Sequence, residues 1–144
     1  MNSTLPDLAY LPRLPDADDR LRSLIIQRLA APFLWGAHDC ALWAADAVHV
    51  QIGVDPAGQL RGRYASARHA LRLVRGLGGL PSLVTAVLGR PLASPLLARL
   101  GDVGHTEEDT LAVCCGDAWA VPTRHGMGYL PLTQATAAWR VGRG

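Results

Sequence analysis

Lysine is absent from this chain of 144 residues, and all 14 basic residues are arginine. Alanine, glycine, proline, arginine and leucine are all abundant, so we read a GC-rich coding bias here and no function. Excess charge is also lacking. The formal net charge is +2, too small to argue for a nucleic-acid or anionic-membrane partner. Arg61, Arg63, Arg68, Arg72 and Arg75 do cluster, but Leu71, Leu73 and Val74 interleave them. That pattern reads as a solvated helix face, not a nucleic-acid surface. Cysteine is scarce and odd in number, and two of the three, Cys114 and Cys115, are adjacent. A bridge between neighbours is strained, so no disulfide framework is implied and a reducing compartment at folding is the default. No C-x-x-C or His-x-x-x-His spacing is present, so neither metal nor cofactor is expected. No apolar run approaches the roughly 18 to 20 residues that a membrane helix needs, so no membrane insertion is expected. Residues 1–15 contain Pro6, Pro12 and Pro15 and lack the basic start and apolar centre of a signal peptide.

What is present is a chain 49% hydrophobic and long enough for one domain with a real core. Proline keeps residues 1–15 extended. Asp16 or Asp18 caps a helix predicted to run to about residue 30, with Leu21, Leu24, Ile25 and Leu29 on one stripe. A second helix is predicted over 40–52, capped by Asp39 and stopped by Gly53, with Leu42, Ala45, Val48 and Ile52 inward and Trp43 and Asp46 elsewhere. Residues 54–64 read as loop. Helices follow over about 66–75 and from Pro81 or Ser82 to Gly89, then one turn near 96–100. After Gly101 the texture becomes β-prone. Strands are predicted from about 101, over 110–115, 118–121 and 128–132, and over 139–141 after a brief helix at 133–138. Gly116-Asp117 is a hairpin turn signal. Cys114 and Cys115 alternate inward and outward on their strand. The class is α+β, with N-terminal helices packed on a small C-terminal antiparallel sheet.

The most informative stretch is 33–40, an aromatic-glycine turn that delivers Cys40 to the first turn of a helix. Backbone N–H groups there are unpaired and carry partial positive charge. A thiol in that place is expected to ionise more readily and become a nucleophile. The alternative is a small buried apolar residue, as free cysteines often are.

Trp35-Gly36-x-x-Asp39-Cys40, followed by Gly101-Asp102 entering a β-meander, resembles the NlpC-type cysteine peptidases of the papain-like superfamily, which cleave peptide bonds of bacterial peptidoglycan. More closely, the chain resembles a family of small proteins of tailed phages and prophages. Beside the cysteine segment, four signatures carry that likeness: Leu60-Arg61-Gly62-Arg63-Tyr64, Leu77-Gly78-Gly79, the same Gly101-Asp102, and Ala138-Trp139-Arg140-Val141. The resemblance implies one papain-like NlpC-type domain over 1–144, with 1–15 an N-terminal arm and 54–100 a helical insertion. It implies a place in the virion tail, made in the host cytoplasm, with tail hub and tail-tip proteins as partners and peptidoglycan peptides as the substrate of active relatives. Cys40 takes the nucleophile position, and Trp35, Gly36 and Asp39 the binding positions beside it.

The pattern departs from active members at Thr110, where their general base stands, and at Val121 or Pro122, where the group orienting that base would fall. A cysteine peptidase needs thiol, base and orienting group together. His105, on the strand that starts at Asp102, and His38, two residues before Cys40, are the candidate replacement bases. His125 is a weaker one, in a glycine-rich loop; His49 and His69 fall on helices away from the turn. Asp39 serves its helix as a cap. Trp119 and Trp139 read as core or interface anchors, with Leu14, Tyr129 and Trp139 candidates for an exposed apolar patch. Two functions stay open: a tail-tip component with hydrolysis weakened or lost, and an active peptidoglycan peptidase.

Overall fold

The structure, a computed structural model, describes residues 5–143; the first four residues of the expected arm lie outside them. Four helices come first: α1 (Ala17–Arg28), α2 (Cys40–Ile52), α3 (Ala67–Gly76) and α4 (Leu80–Leu88). Five strands follow: β1 (Val103–Thr106), β2 (Leu111–Cys114), β3 (Ala118–Thr123), β4 (Gly126–Pro131) and β5 (Ala135–Trp139). They form one antiparallel sheet in the order β4-β3-β2-β1-β5. The α+β arrangement expected from sequence is therefore the one observed.

α2 is the central helix. Asp39 caps it through a bond from Leu42 N, and Gly53, at φ 82°, ends it in the left-handed conformation. Val48 and Ile52 join Val103, Leu111 and Trp139 of the sheet in the main core, which α4 closes with Val84, Val87 and Leu88. Trp43 is fully buried in a second cluster with Leu21 and Leu24 of α1 and Val113 and Ala120 of the sheet. Its Nε1 donates to the Ala120 carbonyl at 2.9 Å. The expected single inner stripe of α2 is thus too narrow, because neighbours enclose this helix on two sides.

Three other expectations are corrected. The 133–138 helix is replaced by a 3-10 turn (Leu132–Gln134) and strand β5. Ala137 and Trp139 pair with His105 and Val103, and such ladder bonds override the helical preference of an alanine-rich stretch. Trp139 is 1% exposed and donates to Thr85 Oγ1, so it belongs to the core and to no surface patch. α1 ends at Arg28, and Leu29 lies outside the buried stripe, its carbonyl accepting from Met127 N. The far face of the sheet is also covered. Cys114 and Trp119 pack there with Leu92, Ala98 and Leu132, so every residue of β2 is buried.

Two buried polar groups join distant segments. Asp102 is 2% exposed and accepts from Arg99 N, Val141 N and Arg140 Nε. Gln51, fully buried, donates to the Ala47 and Gly101 carbonyls, and its Oε1 accepts from Arg13. Gly101 must be glycine on two counts. Its φ is 95°, and any Cβ there would collide with the Gln51 amide. Replacing Asp102 with Ala leaves two backbone N–H groups without acceptors. It should cost about 2–4 kcal/mol, read as a lower denaturant midpoint at constant slope.

Candidate functional site

The site is built where α2 begins. Phe33 N donates to the Thr123 carbonyl, anchoring the turn to the end of β3. The chain then reverses, with Leu34 and His38 bridged backbone to backbone. Gly36, at φ 80°, packs so closely on the Tyr64 carbonyl that a side chain there would collide with it. Asp39 follows, 1% exposed. Its Oδ1 accepts from Leu42 N at 2.9 Å, and its Oδ2 from Gly36 N at 2.9 Å and the Tyr64 hydroxyl at 2.6 Å. Burial and the adjacent carboxylate hold the Tyr64 phenol far above its ordinary pKa, so it remains a proton donor. One carboxylate therefore fixes the turn, caps the helix and ties in the Leu60–Tyr64 motif. Trp35 sits outside this knot, 39% exposed, its ring edge-on to Phe33 at 4.7 Å.

Cys40 is the first residue of α2, a free thiol packed against the main core. The expected activation by the helix start is not found. Burial pushes the thiol up to about 11, and the charges of Asp39 and Asp109 push the same way. Hydrogen bonding from the backbone of Leu111 and Ala41 offsets only part of this. The local argument fails for two physical reasons. Burial against the main core desolvates the sulfur, and the carboxylate that caps the helix stands beside it as a negative charge. At pH 7 Cys40 is a thiol.

The histidines divide. His105 lies on β1 in register with Ala137 on one side and, on the other, with Leu111, whose backbone hydrogen-bonds Cys40. The topology thus brings His105 to the cysteine's end of the sheet. Its ring, however, is engaged elsewhere: Nε2 with Asp109 Oδ1 at 2.7 Å and Nδ1 with Thr136 Oγ1 at 2.9 Å. Asp109 reaches it from the β1–β2 turn with φ at 57°, a left-handed conformation rare outside glycine. Thr110, at the position of the missing imidazole, exchanges a 2.6 Å hydroxyl hydrogen bond with Thr106. Among the described residues no histidine is hydrogen-bonded to the Cys40 sulfur.

His38 is a buried residue, 7% exposed. Arg28 Nη1 donates to its Nδ1 at 3.2 Å. Arginine only donates, so the imidazole proton sits on Nε2, which is buried without a partner. Its ring stands edge-on to Trp43. Arg28 also pairs with Asp46, which pairs with Arg61, which pairs with Asp55. Arg61 is therefore a structural ion-pair residue, unlike the exposed Arg68, Arg72 and Arg75. His49, His69 and His125 are exposed. Val121 and Pro122 stand on β3 with no polar group to orient a base. No group of three or more His, Cys, Asp and Glu side chains converges to hold a metal ion among the described residues.

A family model described as Domain of unknown function (DUF6950) matches residues 12–141. The chain belongs to the DUF6950 family. No curated protein and no solved structure matches the chain. The DUF6950 match spans the arm from Pro12, the whole Cys40 site, and the Ala138–Val141 segment that closes the sheet. Sequence reasoning missed two members of the site in this DUF6950 domain: Tyr64 is read there only as part of a motif, and Arg28 not at all.

Two measurements check this geometry. Asp39→Ala removes the cap and leaves the Tyr64 hydroxyl unpaired, for an expected loss of about 2–4 kcal/mol. Tyr64→Phe should cost about 1 kcal/mol, and the double variant should cost less than the sum. For His38, burial and then Arg28 hold the pKa below its ordinary 6.5. The unfolded chain therefore takes up this proton first as pH falls. His38 contributes stability above about pH 6.5 that is lost progressively below it, until the native imidazole titrates. Unfolding midpoints measured from about pH 7.5 to about pH 5 should fall in the native chain, and less steeply in His38→Gln.

Proposed function

We propose that this DUF6950 domain is a tail-tip component of a tailed phage, built on the papain-like scaffold of the NlpC-type cysteine peptidases, with hydrolysis weakened or lost. The reading rests on the sequence signatures already quoted and on a helix-start cysteine laid against an antiparallel sheet. The observation that carries the loss of hydrolysis is the state of Cys40. Its thiol is held neutral, and both nitrogens of the one histidine on the adjoining strand are occupied by Asp109 and Thr136. A nucleophile without a base in contact has no proton acceptor for attack on an amide. The domain then serves through its surfaces, docking to hub and tip proteins in the virion tail. Trp35 and Tyr129, aromatic and exposed, are the anchors such an interface would use.

One observation favours a second reading. His105 carries an acidic partner, Asp109, as a catalytic imidazole does. In an active peptidoglycan peptidase, His105 would leave Thr136, turn to Cys40 and take its proton. The thiolate would attack the amide carbonyl, with N–H groups of the α2 start stabilising the oxyanion.

Alkylation separates the two. Under the first reading iodoacetamide modifies Cys40 at neutral pH more slowly than a free cysteine. The rate climbs towards a midpoint at about 11, and purified protein releases no fragment from cell walls. Cys40→Ala phage assemble and infect normally, whereas deletion of the protein blocks tail completion. Fast alkylation together with fragment release abolished by His105→Ala would replace the first reading with the second.

A further inference from the structure

At the opposite end of α2 from Cys40, about 20 Å away by helix length, three arginines from separate parts of the chain line one cleft of about 190 Å³. Arg13 comes from the N-terminal arm, Arg99 from the corner before β1, and Arg140 from the segment after β5. We infer that this cleft binds an oxyanion, a carboxylate or phosphate group carried on a small apolar body.

The arginines are held from behind. Arg13 Nε and Nη2 bond Gln51 Oε1 at 3.3 and 3.0 Å, and Nη2 also bonds Asp18 at 2.6 Å. Arg140 Nε bonds Asp102 at 3.0 Å, and its Nη2 the Leu97 carbonyl at 3.0 Å. In both, Nη1 has no acceptor among the described residues, and the Arg99 guanidinium has none at all. Two preoriented N–H₂ groups and one whole guanidinium are left for a ligand. Holding an arginine in place beforehand reduces the entropy lost on binding a planar or tetrahedral oxyanion.

The charge count favours an anion. Against three arginines stand Asp18 and Asp102. Asp102 is spent inside the fold: its side chain is 3% exposed and already accepts three hydrogen bonds. Asp18 is half-exposed, and Arg13 together with the charges of Arg22 and Arg99 keeps it ionised well below the usual carboxylate range. An entering ligand meets a net positive field. Leu100 and Val141 line the same cleft and supply an apolar wall for the body that bears the anion. The inference stands on different residues from the Cys40 site and does not rest on the function proposed above.

The test is calorimetric titration and thermal unfolding of the full chain with inorganic phosphate, phenyl phosphate and benzoate, against chloride at matched ionic strength. Saturable binding by at least one oxyanion is expected, tighter for phenyl phosphate or benzoate than for the bare ion. Phosphates binding more tightly than benzoate marks a phosphorylated ligand, and the reverse marks a carboxylate. Arg99→Gln removes no hydrogen bond or ion pair of the side chain, so it should unfold near the native temperature and bind at least about tenfold more weakly. Arg68→Gln on exposed α3 should change nothing. No saturable binding by any of the three, or equal binding by the native chain and Arg99→Gln, overturns the proposal.

Discussion

Both oxygens of the Asp39 carboxylate are sealed from solvent, and a buried carboxylate is tolerated only when hydrogen-bond donors replace its water. Here the donors come from three places: the Gly36 amide in the turn, the Leu42 amide in α2 and the Tyr64 hydroxyl from the loop beyond it. Fixing these three at once fixes where the turn ends, where the helix starts and how the 54–64 loop folds back. The glycine at 36 is part of the same constraint, since the Tyr64 carbonyl occupies the space a side chain would need. Cys40 inherits its position from this arrangement, and with it the burial and, beside that, the neighbouring negative charge that keep its proton on.

Asp102 plays the corresponding part in the C-terminal half. It receives Arg99 and Val141 amides and the Arg140 guanidinium, joining the corner before β1 to the segment after β5. Four of the short signatures that stood apart along the chain thus meet in two pairs. The cysteine segment meets the Leu60–Tyr64 motif through Asp39, and Gly101-Asp102 meets Ala138–Val141 through Asp102 and the Val103–Trp139 pairing. Gln51 links the two halves, with the Gly101 carbonyl on one side and Arg13 on the other.

Elements governed by local chemistry were legible in the sequence. The Asp39 cap, the Gly53 stop and the apolar spacing between them located α2, and Gly116-Asp117 located the β2–β3 turn. What escaped was set by distant partners. An alanine-rich stretch reads as helix until β1 offers it a ladder. Trp43 looks displaced from the inner stripe until α1 and β3 close over it. The cysteine reading failed in the same way. A helix start lowers a thiol pKa locally, but burial against a core assembled from distant segments desolvates the sulfur and wins. The His105–Asp109 pair depends on a residue in left-handed conformation, which only the folded turn reveals.

The central helix is tethered along its whole length: Cys40 beside the Leu111 backbone, Trp43 to the Ala120 carbonyl, Gln51 to the Gly101 carbonyl. It has no partial detachment that leaves the strands intact, so helix and sheet must come apart in one cooperative step. α3 is the contrast. Only Ala70 of its ten residues is buried, and it can fray while the rest stays folded. Slow amide hydrogen exchange will therefore concentrate in α2 and β2, and a protease probing the native protein will find its opening near α3.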